Sequence, residues 1–182
     1  MTQRAARRWV ALLRGINVGG HRVKNDVLAA CFVSLGHTDV RPFLASGNVA
    51  FSSSEADPGR LTKGIEQGLS SQLDFEVPTV LRTVTELAVA ADFEAAAGGM
   101  VVESHYVILL DGAAERFAEG LALLESDFDR FVLNGNDVHW LLAGKMSESP
   151  LFRRGIDHVF QNGRHTTRNV NTLRRLVARE SG

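Results

Sequence analysis

An internal echo narrows the folds open to this chain. Val10-Ala11-Leu12-Leu13-Arg14-Gly15 is matched by Val107-Ile108-Leu109-Leu110-Asp111-Gly112, and Phe43-x-x-x-Gly47-Asn48 by Phe131-x-x-x-Gly135-Asn136. A short apolar run stopped by glycine reads as a buried strand. Gly-Asn between two β-prone runs reads as a hairpin, and Asn134-Gly135-Asn136 is a strong form of that signal because Asn-Gly tolerates positive φ. One βαββ unit used twice accounts for both matches.

The first half fills in around that unit. Asn25 or Asp26 can cap a helix whose Val27, Leu28, Cys31, Phe32 and Leu35 fall at 3.6-residue spacing, stopped by Gly36. Residues 40–44 and 49–52 flank the turn Ala45-Ser46-Gly47-Asn48. Asp57-Pro58 opens a second helix in cap-then-proline order, with the stripe Leu61, Ile65, Leu69 and Leu73. Residues 77–82 supply a last strand. The order β-α-β-β-α-β is that of a ferredoxin-like half. Thr83-Val84-Thr85-Glu86 is a capping box, and the small-residue run 95–99 is the best linker. Residues 1–83 are therefore expected to form an N-terminal βαββαβ subdomain, 84–103 a connecting helix and linker, and 104–182 a C-terminal α+β subdomain ending in a helix. In the second half, Phe117, Leu121 and Leu124 mark a helix, and residues 150–160 another, interrupted by Gly155. No closing strand stands out there, so that half reads as degenerate or as closed by the C-terminal helix. Thr166 or Thr167 is read as that helix's cap, with Val170, Leu173 and Leu176 or Val177 facing the core. The fold expected is α+β, two ferredoxin-like plaits with the last helix packing back on the first.

Composition excludes several classes. The chain has 182 residues, 45% hydrophobic and 23% charged, which is ordinary for a globular protein and wrong for a disordered or fibrous one. A single cysteine, Cys31, excludes a disulfide framework and a cysteine-based zinc site. No apolar run approaches the roughly 18 residues of a membrane span, and residues 9–13 are too short for a signal-peptide core. A cytoplasmic protein, monomeric or a small homo-oligomer, is expected. Charge is uneven: residues 1–24 carry six bases and no acid, residues 153–182 seven arginines against two acids, and the middle seven bases against nineteen acids. Basic ends on an acidic body suit an anionic partner if the ends meet. Arg4, Arg7 and Arg8 read more simply as a flexible tail.

Two segments carry possible chemistry. Gly15-Ile16-Asn17-Val18-Gly19-Gly20 follows a strand and precedes a helix, a setting in which backbone amides can face a phosphate. The spacing from Gly15 to Gly20 matches a P-loop, but His21-Arg22 stand where Lys and Ser/Thr belong, so NTP hydrolysis of that type is not expected. For the glycines alone, loop geometry suffices. With Arg14 and Asn17 in the same loop, an oxyanion site and a plain turn stand level. In a plait the start of the third strand lies near the end of the first, which brings Ser46 and Asn48 toward Arg14 and Asn17. The second segment, residues 166–172, puts Arg168, Asn169, Asn171 and Thr172 at a helix start, where anions are favoured.

The absences matter as much. There is no HExxH and no CxxC, and no metal or cofactor is expected. His105 and His139 lie in strand patterns, where a structural histidine is the better reading. Cys31 lies on an apolar stripe and reads as core. His165, near Arg168, is the one weak acid/base candidate, and Lys145 a second proton carrier. No paired aromatics suit RNA recognition.

Residues 10–20, then Ser46-Gly47-Asn48-Val49-Ala50-Phe51, then Thr166-Thr167-Arg168-Asn169-Val170-Asn171-Thr172 together resemble family 1697 of the domains of unknown function, a group of bacterial proteins. The resemblance implies the duplicated plait and no established activity. Two positions depart from the family pattern. Val170 stands where the family usually has Trp, and Gly144-Lys145-Met146-Ser147-Glu148-Ser149-Pro150-Leu151 replaces a Gly-x-Ser-Lys-Leu-like stretch. The function expected is binding of a small phosphate- or carboxylate-bearing ligand by Arg14, Asn17, Gly19, Gly20, Ser46, Asn48, Arg168, Asn169, Asn171 and Thr172. The alternatives are an enzyme acting on such a ligand, or a nucleic-acid or protein-binding module. Nucleic acid is not favoured because the middle of the chain is acidic.

Overall fold

The computed structural model describes residues 6–17, 22–45, 47–160 and 163–182, with Arg153 and Arg154 described by their backbone alone. The chain divides into two units: residues up to Leu87 with Ala178–Gly182, and Ala88–Val177.

The first unit holds β1 (Arg7–Leu13), α1 (Asn25–Ser34), β2 (Thr38–Phe43), β3 (Asn48–Ser53), α2 (Pro58–Leu73) and β4 (Thr79–Arg82), followed by α3 (Val84–Asp92), which begins in it. The strands form one antiparallel sheet in the order β2-β3-β1-β4, the order of a βαββαβ plait. Side chains alternate across a strand, so Trp9, Ala11 and Leu13 of β1 and Val49 and Phe51 of β3 face the same way. They meet Leu28, Cys31 and Phe32 of α1 and Leu61, Ile65 and Leu69 of α2 in one core. The two helix stripes read from spacing supply these buried rows, except that Val27 is exposed and Leu35 and Leu73 are half-buried. Burial pushes the Cys31 thiol up, as suits a core position.

Local starts follow local chemistry where the residues supply it. Asp57 accepts from the Arg60 amide at 2.8 Å and Pro58 is the first helical residue of α2. Thr83 and Glu86 exchange hydrogen bonds as a capping box at α3. For α1 the expectation fails. The cap position is Lys24, and no side chain among the described residues caps the helix. Arg7 and Arg8 are a second correction: they begin β1 instead of forming a tail. Arg7 lies over the Trp9 ring at 4.5 Å, and Arg8 pairs with Asp39 and Glu180.

The second unit holds β5 (Ser104–Leu110), a 3-10 turn (Ala114–Phe117) running into α4 (Ala118–Ala122), β6 (Asp129–Asn134), β7 (Asp137–Leu142), α5 (Pro150–Arg154), a 3-10 turn (Ile156–Phe160), β8 (His165–Asn169) and most of α6 (Val170–Ser181). Its antiparallel sheet runs β6-β7-β5-β8, the same order with shorter helical crossovers. The closing strand that the sequence did not reveal is β8, paired with β5 from Tyr106↔Asn169 to Leu110↔His165. Thr166 and Thr167 are therefore strand residues, and the last helix begins at Val170. One face of this sheet carries Ile108, Leu110, Val138, Trp140 and Leu142, packed with Leu121, Leu151, Ile156 and Phe160. Asp129, buried, accepts from Trp140 Nε1 at 2.8 Å and Ser149 Oγ at 2.7 Å. This bond fixes the segment before α5 through Ser149, whereas Ser147 and Lys145 are exposed. Among the described residues, no helix is long and apolar enough to cross a membrane.

Candidate functional site

The loop after β1 is built by a sheet register and one side-chain amide. Leu13 N donates to Gly47 O at 2.8 Å and Arg14 N to Pro78 O at 2.9 Å, so β1 ends wedged between the β2–β3 hairpin and the start of β4. Gly15 and Asn17 then take positive φ, 79° and 59°, and turn the chain back. The Asn17 side chain pins this turn. Its Nδ2 donates to Ala45 O at 2.7 Å and to Val23 O at 3.3 Å, and its Oδ1 accepts from Val23 N at 3.0 Å. Both flanks of the loop and the neighbouring hairpin are thereby tied to one residue.

The expected first-unit residues fare differently. Arg14, half-exposed, and Asn17 lie in this loop, with the hairpin against it. Asn48 is buried, faces Leu12 across the ladder, and donates to Phe43 O at 3.1 Å. Asn48 and Asn17 thus spend amide groups on backbone. Gly19, Gly20 and Ser46 lie outside the described residues, as do Val18 and His21. Two residues not assigned to the site from sequence stand at the far flank: Arg22 and Lys24, both exposed. Their signal was present, since residues 14–24 hold three bases and no acid. Immediately after them α1 begins with no side-chain cap among the described residues, although Asp26 in its first turn accepts from the Val27 amide at 2.9 Å.

At the opposite end of β1 an open groove of about 520 Å³ is lined by Arg7, Arg8, Thr83, Val84, Thr85 and Glu86. Its charges are already answered. Glu86 closes the start of α3, and Arg8 Nε donates to Glu180 Oε2 at 2.9 Å.

In the second unit, Arg168 sits on β8 opposite Val107. It is buried, its NH1 donates to Thr166 Oγ1 at 2.7 Å and Thr167 O at 2.9 Å, and burial lowers it to about 10. Asn169 Oδ1 accepts from Asn171 N at 2.9 Å and so closes the strand-to-helix turn, while Asn171 Oδ1 accepts from Arg174 at 3.4 Å. Thr172 is half-buried in the first turn of α6. His165 is buried with Nε2 2.9 Å from Asp157 Oδ1 and Nδ1 3.0 Å from Gly163 O. Both ring nitrogens are engaged by acceptors, which ill suits a proton shuttle. Among the described residues, no three His, Cys, Asp or Glu side chains gather as a metal site needs.

A plait carrying a pinned strand–loop–helix turn is thus the class of protein that the chain's geometry defines. The family model for proteins of unknown function numbered DUF1697 matches residues 6–139, and the chain belongs to that family. No curated protein matches it in sequence. Among solved structures it is similar to a conserved bacterial protein of Streptococcus pneumoniae, at 18% identity and a TM-score of 0.74, over 98% of this chain and 100% of that one. At that identity the likeness concerns the fold.

Proposed function

We propose that this protein binds a small phosphate- or carboxylate-bearing ligand at the loop between β1 and α1. The observation that carries the reading is the double clamp of Asn17 on Ala45 and Val23. It ties the backbone beside Arg14 to the backbone between Arg22 and Lys24, so that less ordering entropy is lost at those positions when an anion arrives. The start of α1 adds the positive end of a helix, with no described side chain capping it, and the arginines add planar donors matched to phosphate and carboxylate. Binding is preferred over catalysis because both nitrogens of His165 are occupied and Lys145 is exposed on the second unit.

The test is thermal melting with inorganic phosphate, pyrophosphate or citrate at constant ionic strength. At least one of these raises the midpoint of the wild type by several degrees, because a ligand that binds the native state stabilises it by mass action. Arg14→Ala and Arg22→Ala each lose most of that shift. A wild type indifferent to all three anions, or variants that respond as it does, overturns the reading.

A further inference from the structure

The second sheet has a polar row on the face away from its core. Alternation places His105 and Val107 of β5, Asp137 and His139 of β7, Arg130 of β6 and Arg168 of β8 on that side. His139 is fully buried, its Nδ1 2.9 Å from His105 Nε2, and its Nε2 has no hydrogen-bond partner among the described residues. Residues 91–99, from the last turn of α3 into the segment before β5, lie along this row. The Phe93 ring is 4.5 Å from the His139 ring. Arg174 Nε donates to Ala91 O at 3.2 Å. Gly98, at φ +58, comes so near Arg130 that a Cβ there would be 1.9 Å from its NH1.

We propose that residues 91–99 form an acid-released strap, docked on the sheet while the His105–His139 pair is neutral and freed when that pair takes up a proton. Neutral His139 can donate from Nδ1 to His105 and leave Nε2 as a bare lone pair, which a dry apolar site tolerates. With that tautomer the next proton goes to His139 Nε2, where it meets no acceptor among the described residues. The charged groups around the pair oppose it as well. Arg174 of α6, Arg168 of β8 and Arg130 of β6 are cationic. Among the described residues Asp137 is the one acid on the same sheet face, and Asp92 and Glu94 flank Phe93 but are exposed. Burial and the neighbouring His105 hold His139 down to about 4, and burial and Arg174 lower His105. The sign is that of a depressed base. The docked state is favoured above the ordinary 6.5 and loses ground as pH falls toward the lowered value.

Hydrogen exchange of the full chain, corrected for intrinsic rates, tests this at about pH 7.5 and about pH 5. The linkage of a group moving from about 4 docked to 6.5 released makes opening of residues 91–99 roughly thirtyfold more favourable at the lower pH. The amides of β5 keep their protection. His139→Phe stays docked against Phe93 and loses the response, and Phe93→Ala opens the strap at both pH values. If His139→Phe does not fold, His105→Gln serves in its place and gives a smaller response than the wild type. Unchanged protection in the wild type, a full response in either histidine variant, or joint opening of strap and β5 overturns the proposal.

Discussion

Asn17 occupies the left-handed region at φ +59, where Asn and Gly sit easily and a plain Cβ costs about 1–2 kcal/mol. Its side chain adds three hydrogen bonds to backbone groups of Val23 and Ala45. The two contributions separate by mutation. Asn17→Gly keeps the backbone and loses the clamp, which at the usual worth of such bonds lowers stability by about 1–2 kcal/mol. Asn17→Ala loses the clamp and adds the strain, and falls about 1 kcal/mol further. Urea titration of the two variants reads the difference, and equal losses would mean that the turn is free to relax. Both variants also weaken the anion response, since the backbone beside the loop bases is then no longer tied. The sequence marked Asn17 as important because of the loop it sits in, yet assigned it to a ligand. Its acceptor at Ala45 is 28 residues away, beyond any local pattern. Asp129 was missed for the same reason: its partners Trp140 and Ser149 are 11 and 20 residues distant.

At the scale of elements, whatever depended on near neighbours was legible. The helix stripes, the Asp57-Pro58 start, the Thr83 capping box and the break of α5 at Gly155 all use residues within a turn or two of one another. The strand β8 was not legible. His-Thr-Thr-Arg-Asn has no aliphatic residue and looks like a helix cap. It is a strand because β5 offers an open edge, and its buried residues Thr166 and Arg168, on the face away from the core, hydrogen-bond to one another in place of apolar packing. The β2–β3 hairpin supplies the element-scale prediction. Gly47 has φ +69, and a Cβ there would lie 3.0 Å from Ile16 Cβ and 3.1 Å from Leu13 Cβ. Those atoms belong to β1 and its loop and have little room to retreat. Gly47→Ala therefore combines backbone strain with crowding and costs about 2–3 kcal/mol, seen as a lowered urea midpoint with an unchanged slope. A loss below about 0.5 kcal/mol would show that the hairpin tip can move off the loop.

For the molecule as a whole, the charge pattern resolves differently from its first appearance. Basic ends on an acidic body suited an anionic partner if the ends meet. Within the first unit the ends do meet, around an internal acid: Arg8 of β1 and Arg179 of α6 both bond the carboxylate of Glu180, whose side chain is 1% exposed. Each arginine has other partners. Arg8 pairs with Asp39 at 3.2 Å, and Arg179 donates to the Arg41 and Pro42 carbonyls at 3.0 Å and lies over Phe43. Removing the carboxylate therefore leaves two cations close together but not stranded, and Arg8 keeps some solvent contact at 23% exposure. Glu180→Gln should then cost about 1–3 kcal/mol, below the figure for a fully buried broken pair. It should also make stability depend on dissolved anions, because phosphate or sulfate can settle between the guanidinium groups that Glu180 now neutralises. Melting of wild type and Glu180→Gln in matched chloride and phosphate measures both effects, with the midpoint gap narrowing in phosphate. If Arg8→Gln is added, the phosphate response disappears while little further stability is lost. A gap that stays constant in both salts would assign the cost to packing of the last turn of α6 and not to its charge.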